Sequence, residues 1–292
     1  NTPEQNQLAC QIDYISFESR PLPAAVMAQS HHAFPYLARH SHDLIAALPP
    51  QWPGLHRRDF LHGRLRLHLI YGDANDAVAK ADFAADAWFL DGFTPAKNPQ
   101  LWNQDLLMEI GRLTRAGGSF ATFTVASAVR QRLAEAGFEF EKRPGFGRKR
   151  EMLVGRKRAG ALAPQPTAQN RQIAIIGGGI AGASVAAGFV ARGITPHIID
   201  ARDRLARGAS GNRLALQSPR LSVDHNVASR MSADCLSFAV GCSDAALAVI
   251  ADRVISLDWP DREAVRQAQF RTQFWPDDLM QFVDAKAASS QA

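Results

Sequence analysis

The stretch that decides the fold of the second half of the chain is Arg171–Asp200, RQIAIIGGGIAGASVAAGFVARGITPHIID. It opens with a short apolar run, Ile173–Ile176, which predicts a β-strand. Small and apolar residues without a proline then predict a helix over Ala183–Arg192. A second short strand, His197–Ile199, follows and ends at Asp200. The order of strand, glycine turn, helix, strand and acid within about 30 residues is that of a dinucleotide-binding unit.

Three glycines in the turn, Gly177, Gly179 and Gly182, form a GxGxxG motif. Such a motif needs a tight turn, close approach of the backbone to a pyrophosphate, and close packing of the helix on the strand. The pyrophosphate would lie at the helix N-terminus, where free N–H groups and the helix dipole favour an anion. Asp200 comes 18 residues after Gly182 and is placed to bind the ribose hydroxyls of an adenosine.

Composition is typical of a globular protein of about two domains. The chain has 292 residues, of which 46% are hydrophobic and 21% charged, and no apolar run approaches the roughly 18 residues of a membrane span. Its three cysteines form no CxxC pair, so we expect a reducing, cytoplasmic setting. Its nine histidines form no HExxH pattern, so no metal site is predicted, and we expect a monomer. The net charge of +5 permits a polyanionic partner but does not require one.

Strands and helices alternate before the glycine motif. Strands are predicted at 11–18, 65–71, 86–90 and 119–124, and helices at 24–48, 76–81, 101–113 and 126–136. An antiparallel hairpin is predicted from segments 138–141 and 151–154. This pattern predicts a doubly wound α/β domain over residues 1–155. A stretch rich in proline and alanine predicts a linker at 156–170, and the nucleotide-binding domain then occupies 171–292, with further helices at 223–239 and 244–252.

Acidic residues follow three of the predicted strands directly or after a glycine: Glu18, Asp73 and Asp91. In an open parallel sheet the carboxyl ends of the strands form the ligand crevice, so the three acids are candidate ligand-binding residues. The alternative is that each acid caps the N-terminus of a helix, as acids do in many unrelated folds. Both interpretations stay open for each acid.

Two stretches carry unusual motifs. The first, Asp86–Gly155, contains DAWFLDGFTPAKNPQLWN, RAGGSFATFT and KRPGFGRKREMLVG; the second, Ile173–Leu221, contains IIGGGIAGAS and ARGASGN. Both resemble the bifunctional tRNA 5-methylaminomethyl-2-thiouridine biosynthesis proteins, and the order of the two stretches matches as well. The resemblance implies a Rossmann-like methyltransferase domain that uses S-adenosylmethionine, followed by an FAD-binding Rossmann domain of the D-amino acid/glycine oxidase type.

The resemblance also implies an activity on the wobble uridine of certain tRNAs. The FAD domain would remove the carboxymethyl group from 5-carboxymethylaminomethyl-(2-thio)uridine. The methyltransferase domain would then methylate the exposed amine to give 5-methylaminomethyl-(2-thio)uridine. We expect tRNA to be the macromolecular partner on this ground.

Residue roles follow from the resemblance for the acids of the first half. Glu18 would hold the ribose hydroxyls of S-adenosylmethionine, and Asp73 would lie beside its adenine. Asp91 would lie by the amine and the sulfonium, with Phe93 and Pro95 shaping the pocket. Methyl transfer to a neutral amine needs alignment and a group that takes a proton, for which Asp91 is the candidate; the alternative is a loop cap or a salt-bridged acid.

Both domains are expected to be incomplete. In the family a first strand with a glycine-rich loop precedes the position of Glu18, and nothing before Gln11 supplies it. The later part of the family's FAD domain would follow Ala292. Residues 209–212 form a small-residue turn that either approaches the cofactor by its backbone or is simply a tight turn.

A basic run, Lys142–Arg158, contains eight Lys or Arg residues. Such a run is often a solvated face, but phosphate neutralisation is the main source of nonspecific affinity for nucleic acid. We therefore name Arg148, Lys149 and Arg150, at the predicted hairpin turn, as candidate tRNA contacts. A different class of function also remains, an FAD-dependent amine or amino-acid oxidoreductase whose α/β domain only binds.

Overall fold

The computed structural model describes most of the chain, with gaps, in two compact units. One unit draws on Asn1–Ser16, Arg20–Tyr71 and Arg171–Ala292, and the other on Phe17–Ser19 and Gly72–Asn170. The described residues are 11–61, 63–145, 147, 149–158, 172–212, 215–241, 261–272 and 279–283.

The first unit contains a three-stranded sheet. Its strands are β1 (Ile12–Glu18), β2 (Gly54–Phe60) and β3 (Leu65–Tyr71), in the order β1-β3-β2. Strands β2 and β3 are antiparallel. Ile12 N donates to Arg64 O before β3, and Gly72 N donates to Glu18 O after it, so β1 and β3 run in the same direction. The predicted helical region before β2 forms α1 (Ala24–His31) and α2 (Ala38–Ala46), interrupted by a 3-10 turn that begins at Pro35.

Strand β2 is absent from the sequence prediction, and its inward-facing residues explain why. His56 and Arg58 are the buried positions of this strand, so the apolar alternation that signals a strand does not occur. His56 lies between two partners, the carbonyl oxygen of Trp52 and the hydroxyl of Ser237. Arg58 donates to the carbonyl oxygen of Ala47. Buried polar side chains with such partners can replace apolar ones.

The second unit is built on a four-stranded sheet in the order β4-β5-β7-β6. Its strands are β4 (Ala85–Leu90), β5 (Thr114–Thr122), β6 (Phe138–Pro144) and β7 (Glu151–Lys157), and its helices are α3 (Ala74–Ala79), α4 (Gln104–Leu113) and α5 (Ser127–Glu135). Strands β4 and β5 are parallel, and β6 and β7 form the predicted hairpin. The core under the sheet includes Trp102, Leu107, Phe120, Leu133, Phe138 and Leu153.

Two predicted boundaries in this unit differ from the structure. Strand β5 begins at Thr114 rather than Ser119, because the glycines at 117 and 118 form a bulge inside the strand and not a turn before it. Strand β7 extends to Lys157, two residues into the predicted linker 156–170. Residues 159–170 lie outside the described residues.

The glycine stretch has the predicted order of elements. β8 (Ala174–Ile176) and β9 (His197–Ile199) are parallel, and α6 (Ile180–Val190) connects them. Helix α7 (Val227–Gly241) corresponds to the predicted helix 223–239, whereas α8 (Asp261–Arg271) was not predicted. The predicted helix 244–252 lies outside the described residues.

Candidate functional site

The glycine turn between β8 and α6 is shaped by contacts that exclude side chains. Gly177 has a φ of +97°, in the left-handed region that favours glycine. A Cβ on Gly182 would lie 1.9 Å from the carbonyl oxygen of Gly177, so only glycine lets α6 pack against the turn. A Cβ on Gly179 would lie 3.1 Å from the hydroxyl oxygen of Ser210. Each predicted glycine thus has its own steric reason.

Asp200 ends β9 and ties it to the glycine turn. Its Oδ2 accepts a hydrogen bond from Gly178 N at 2.6 Å, and its Oδ1 accepts one from Arg202 N at 2.9 Å. These backbone donors, Gly178 first, hold the pKa of Asp200 below its ordinary value. The carboxylate is ionised at neutral pH and has further lone pairs, so it can also accept from ribose hydroxyls.

Ser210 is a contact that the sequence interpretation missed as a side chain. Its hydroxyl accepts a hydrogen bond from Ile180 N at 2.9 Å, at the first turn of α6. The prediction considered only the backbone of residues 209–212. A serine hydroxyl on a helix N-terminus is an ordinary cap, and it lies where a pyrophosphate would accept the same N–H.

A cavity of about 530 Å³ opens beside this turn. Its lining includes Gly177, Gly179, Asp200, Arg202, Arg207 and Ser210. The volume is within the range of small-molecule and cofactor sites. Backbone N–H groups, a carboxylate at the end of the second strand and two guanidinium groups fit the adenosine diphosphate part of FAD.

Glu18 and Asp73 lie at the same end of the β1–β3 pair. The hydrogen bond between Gly72 N and Glu18 O joins the two strand ends, and both acidic side chains are exposed. Asp73 caps α3, because its Oδ1 accepts from Asn75 N at 2.7 Å. The hydrogen bonds from Asn75 hold the pKa of Asp73 below its ordinary value. The capping interpretation of Asp73 therefore describes what the structure shows, and its role beside a cofactor stays a prediction.

Asp91 follows β4 and begins a loop that is fixed by its backbone. Trp102 Nε1 donates to the carbonyl oxygen of Phe93 at 2.7 Å, and Lys97 N donates to Thr94 O. The side chain of Phe93 is 74% exposed and that of Asp91 is exposed, while Pro95 is partly buried. An acid and an aromatic ring are thus presented on an ordered loop.

Two asparagines connect the Asp73 turn with the Asp91 loop. Asn103 Nδ2 donates to Asn75 Oδ1 at 2.7 Å, and Asn103 also caps α4 by accepting from Leu106 N. Asn75 is the partner of Asp73, and Trp102, which holds Phe93, is adjacent to Asn103. The sequence interpretation did not identify Asn75 or Asn103; an NPxxW-N pattern before a helix signals only the cap.

The basic hairpin turn brings its cations beside an aromatic residue. Lys149 and Arg150 are exposed, and Lys149 Nζ lies 4.9 Å from the ring centroid of Phe123. Lys142 and Arg143 in β6 are paired with Glu151 and Glu141. Arg148 lies outside the described residues.

Two searches of the described residues returned nothing. They contain no group of three His, Cys, Asp or Glu side chains arranged to hold a metal ion. In the same part of the chain, no helix has the length and apolarity needed to span a membrane.

Comparison with known proteins matches both halves of the chain. Residues 35–158 match the family model of an S-adenosyl-L-methionine-dependent methyltransferase, and residues 172–288 match that of an FAD dependent oxidoreductase. The tRNA 5-methylaminomethyl-2-thiouridine biosynthesis bifunctional protein MnmC of Ralstonia nicotianae is 42% identical over 227 residues, 76% of this chain. The chain belongs to this bifunctional family. It spans about a third (34%) of the length of that relative.

The matches confirm the predicted α/β fold class and the order of its two parts in this member of the bifunctional family. Their descriptions also bear out S-adenosylmethionine and FAD as the cofactors of the two parts. Among solved structures, MNMC2 from Aquifex aeolicus is 28% identical with a TM-score of 0.39, covering 53% of this chain and 47% of that one. The antibiotic-resistance methyltransferase Kmr is 13% identical with a TM-score of 0.30, covering 52% and 89%.

Proposed function

We propose that the protein carrying this chain modifies the wobble uridine of tRNA in two steps. The carboxymethyl group of 5-carboxymethylaminomethyl-(2-thio)uridine is removed with FAD, and the exposed amine is methylated with S-adenosylmethionine. The observation that carries the proposal is the succession of the two family matches in one chain, together with the 42% identity to a bifunctional tRNA-modifying relative. The domains are residues 1–155 and 171–292, joined by 156–170.

In the oxidoreductase part, the described residues act as the holder of the cofactor. The N–H groups at the start of α6 and the glycine turn take the pyrophosphate, and Asp200 takes the adenosine ribose. Gly179 leaves the space through which the phosphate approaches, since a side chain there meets Ser210. When bound, FAD supplies the two-electron oxidation of the substrate amine, and the protein supplies binding and orientation.

In the methyltransferase part, Glu18 and Asp73 bind the adenosyl group, and Asp91 lies at the amine. The amine nitrogen attacks the methyl carbon, the carbon–sulfur bond breaks, and sulfur keeps the electron pair. The ammonium then loses a proton, which Asp91 accepts. The ordered loop held by Trp102 supports this alignment, because fixed geometry is the main requirement of the step. Phe93 and Pro95 line the substrate side.

The protein is further proposed to act as a cytoplasmic monomer that needs no metal, with Arg148, Lys149 and Arg150 contacting tRNA. Exposed cations at the hairpin turn support this contact, since counterion release favours binding of polyanions.

The test is a reaction on tRNA that carries 5-carboxymethylaminomethyluridine, with and without S-adenosylmethionine. With FAD alone the account expects the aminomethyl nucleoside, and with both cofactors the methylaminomethyl nucleoside. Oxidation of free amino acids with no change in tRNA would instead support the oxidoreductase with a binding-only α/β domain.

A further inference from the structure

A second cavity, of about 310 Å³, lies at the carboxyl ends of the parallel strands β4 and β5. Thr94 contributes from the loop after β4, and residues 123–126 contribute from the loop after β5. Lys149–Glu151, at the hairpin turn, complete the lining. The cavity therefore shares a wall with the loop that begins at Asp91, at the edge where α/β sheets bind ligands.

The aromatic wall of this cavity is held in place from one side. The ring of Trp102 meets that of Phe123 edge-on, with centroids 6.4 Å apart and planes at 89°. Trp102 also donates to the carbonyl oxygen of Phe93, so the same indole fixes both the Asp91 loop and the Phe123 ring. The ammonium of Lys149 lies over Phe123 at 4.9 Å.

The charged wall of this cavity is cationic. Glu151 is part of the lining, but its carboxylate is paired with Lys142 Nζ at 2.9 Å. Among the residues that the structure describes, no carboxylate pairs with the guanidinium of Arg150 or the ammonium of Lys149. Two cations beside one aromatic ring therefore face a space of limited size.

We propose that this cavity holds one unstacked nucleotide of a single-stranded RNA loop, which gives the proposed tRNA modification its acceptor subsite and therefore rests on that proposed function. Single-stranded bases are recognised by stacking on aromatic side chains, with cations on the adjoining phosphates. The base stacks on Phe123, and Arg150 binds the neighbouring phosphate. A volume of about 310 Å³ suits one nucleotide and excludes a duplex.

Lys149 changes partner when the nucleotide enters. An exposed cation–π contact is weaker than the stacking of a base on an aromatic ring, so the base displaces the ammonium from Phe123. The released ammonium then pairs with a phosphate. The contact seen over the ring keeps the ring face covered until RNA arrives.

The test measures binding of a synthetic anticodon stem-loop RNA with uridine at the wobble position. Phe123→Leu keeps an apolar side chain but removes the ring, and should weaken binding by about tenfold or more, within the range measured for base stacking. Phe123→Tyr keeps the ring and should bind within about twofold of the unchanged protein. Binding of S-adenosylhomocysteine, measured in parallel, should be the same for all three.

A charge-matched pair tests the phosphate contact. Arg150→Gln should reduce the salt slope of RNA binding by about 0.7, the value for one phosphate on a single strand. Arg143→Gln removes the same charge from the same hairpin, but Arg143 is paired with Glu141, so the slope should change less.

The outcomes separate this proposal from the proposed function. If the unchanged protein binds the RNA and Phe123→Leu binds it equally well, the subsite is wrong and the function stands. If Phe123→Leu weakens S-adenosylhomocysteine binding and leaves RNA binding intact, the cavity belongs to the cofactor and the proposal is overturned. If the unchanged protein binds no RNA, both are overturned.

Discussion

At the scale of single residues, the two helical glycines of α6 have opposite requirements. A Cβ on Gly182 would lie 1.9 Å from Gly177 O, a distance that real Cβ atoms do not show. A Cβ on Gly188 would meet only the tip of the Arg192 side chain, at 3.5 Å. The spacing of the GxGxxG motif therefore matters at one position and not at the other.

Gly182→Ala should lower the free energy of unfolding by about 1–3 kcal/mol through overpacking and should reduce flavin content. Gly188→Ala, the matched control, should raise it by up to about 1 kcal/mol, because alanine is the better helix residue. Urea unfolding and flavin absorbance of the two variants check this. Equal effects at both positions would contradict the close packing of helix on turn.

The glycine unit could be predicted from the sequence because its requirements are local. Gly177, Gly182 and Asp200 contact residues of the same stretch, and the spacing carries the information. The hydrogen bond between Asn75 and Asn103 could not be predicted, because the two residues are 28 positions apart and either amide could have faced solvent. The alternatives for Asp73 also needed coordinates, since a cap and a ligand-binding acid have the same sequence signature.

At the scale of elements, the edge strand β2 is covered by α7. Asp234 of α7 accepts a hydrogen bond from the backbone of Leu55, while its Oδ1 is buried without a partner. Burial raises the pKa of Asp234 to about 6, against the opposing effects of that bond and of Arg230. Because the polar faces of β2 and α7 meet here, neither hydrophobic periodicity nor composition indicated the contact.

The raised pKa of Asp234 predicts how stability depends on pH. Between about pH 4 and pH 6 the folded protein holds a proton that the unfolded chain has lost, so this residue's contribution falls as pH rises through that window. Asp234→Asn should flatten that slope and raise stability above pH 6. Thermal unfolding from pH 4 to 8 checks this, with the exposed Asp82→Asn as control. A variant that is less stable than the unchanged protein at pH 8 would contradict it.

The hairpin of β6 and β7 makes a prediction about tRNA. Replacing Arg148, Lys149 and Arg150 with alanine should weaken tRNA binding and flatten its salt dependence, by about 0.9 of log–log slope per lost contact on a duplex. Titrations at several salt concentrations check this. An unchanged slope would mean that the basic run is only a solvated face.

At the scale of the whole molecule, the chain places two cofactor-binding parts in succession, and each can be disabled separately. Gly179→Val fills the space beside Ser210 through which the pyrophosphate approaches. The purified variant should be colourless and should bind S-adenosylmethionine normally. Full flavin occupancy would contradict the proposed site.

The measurement that tests the central claim most directly is mass spectrometry of tRNA nucleosides from cells whose only copy of the protein carries Asp91→Asn. Asparagine keeps the size of the side chain but loses the basicity, and a general base contributes about 10²–10⁴-fold to rate. The flavin step should proceed and the aminomethyl nucleoside should accumulate. A normal level of the methylated nucleoside would show that Asp91 takes no part in methyl transfer and would contradict the account.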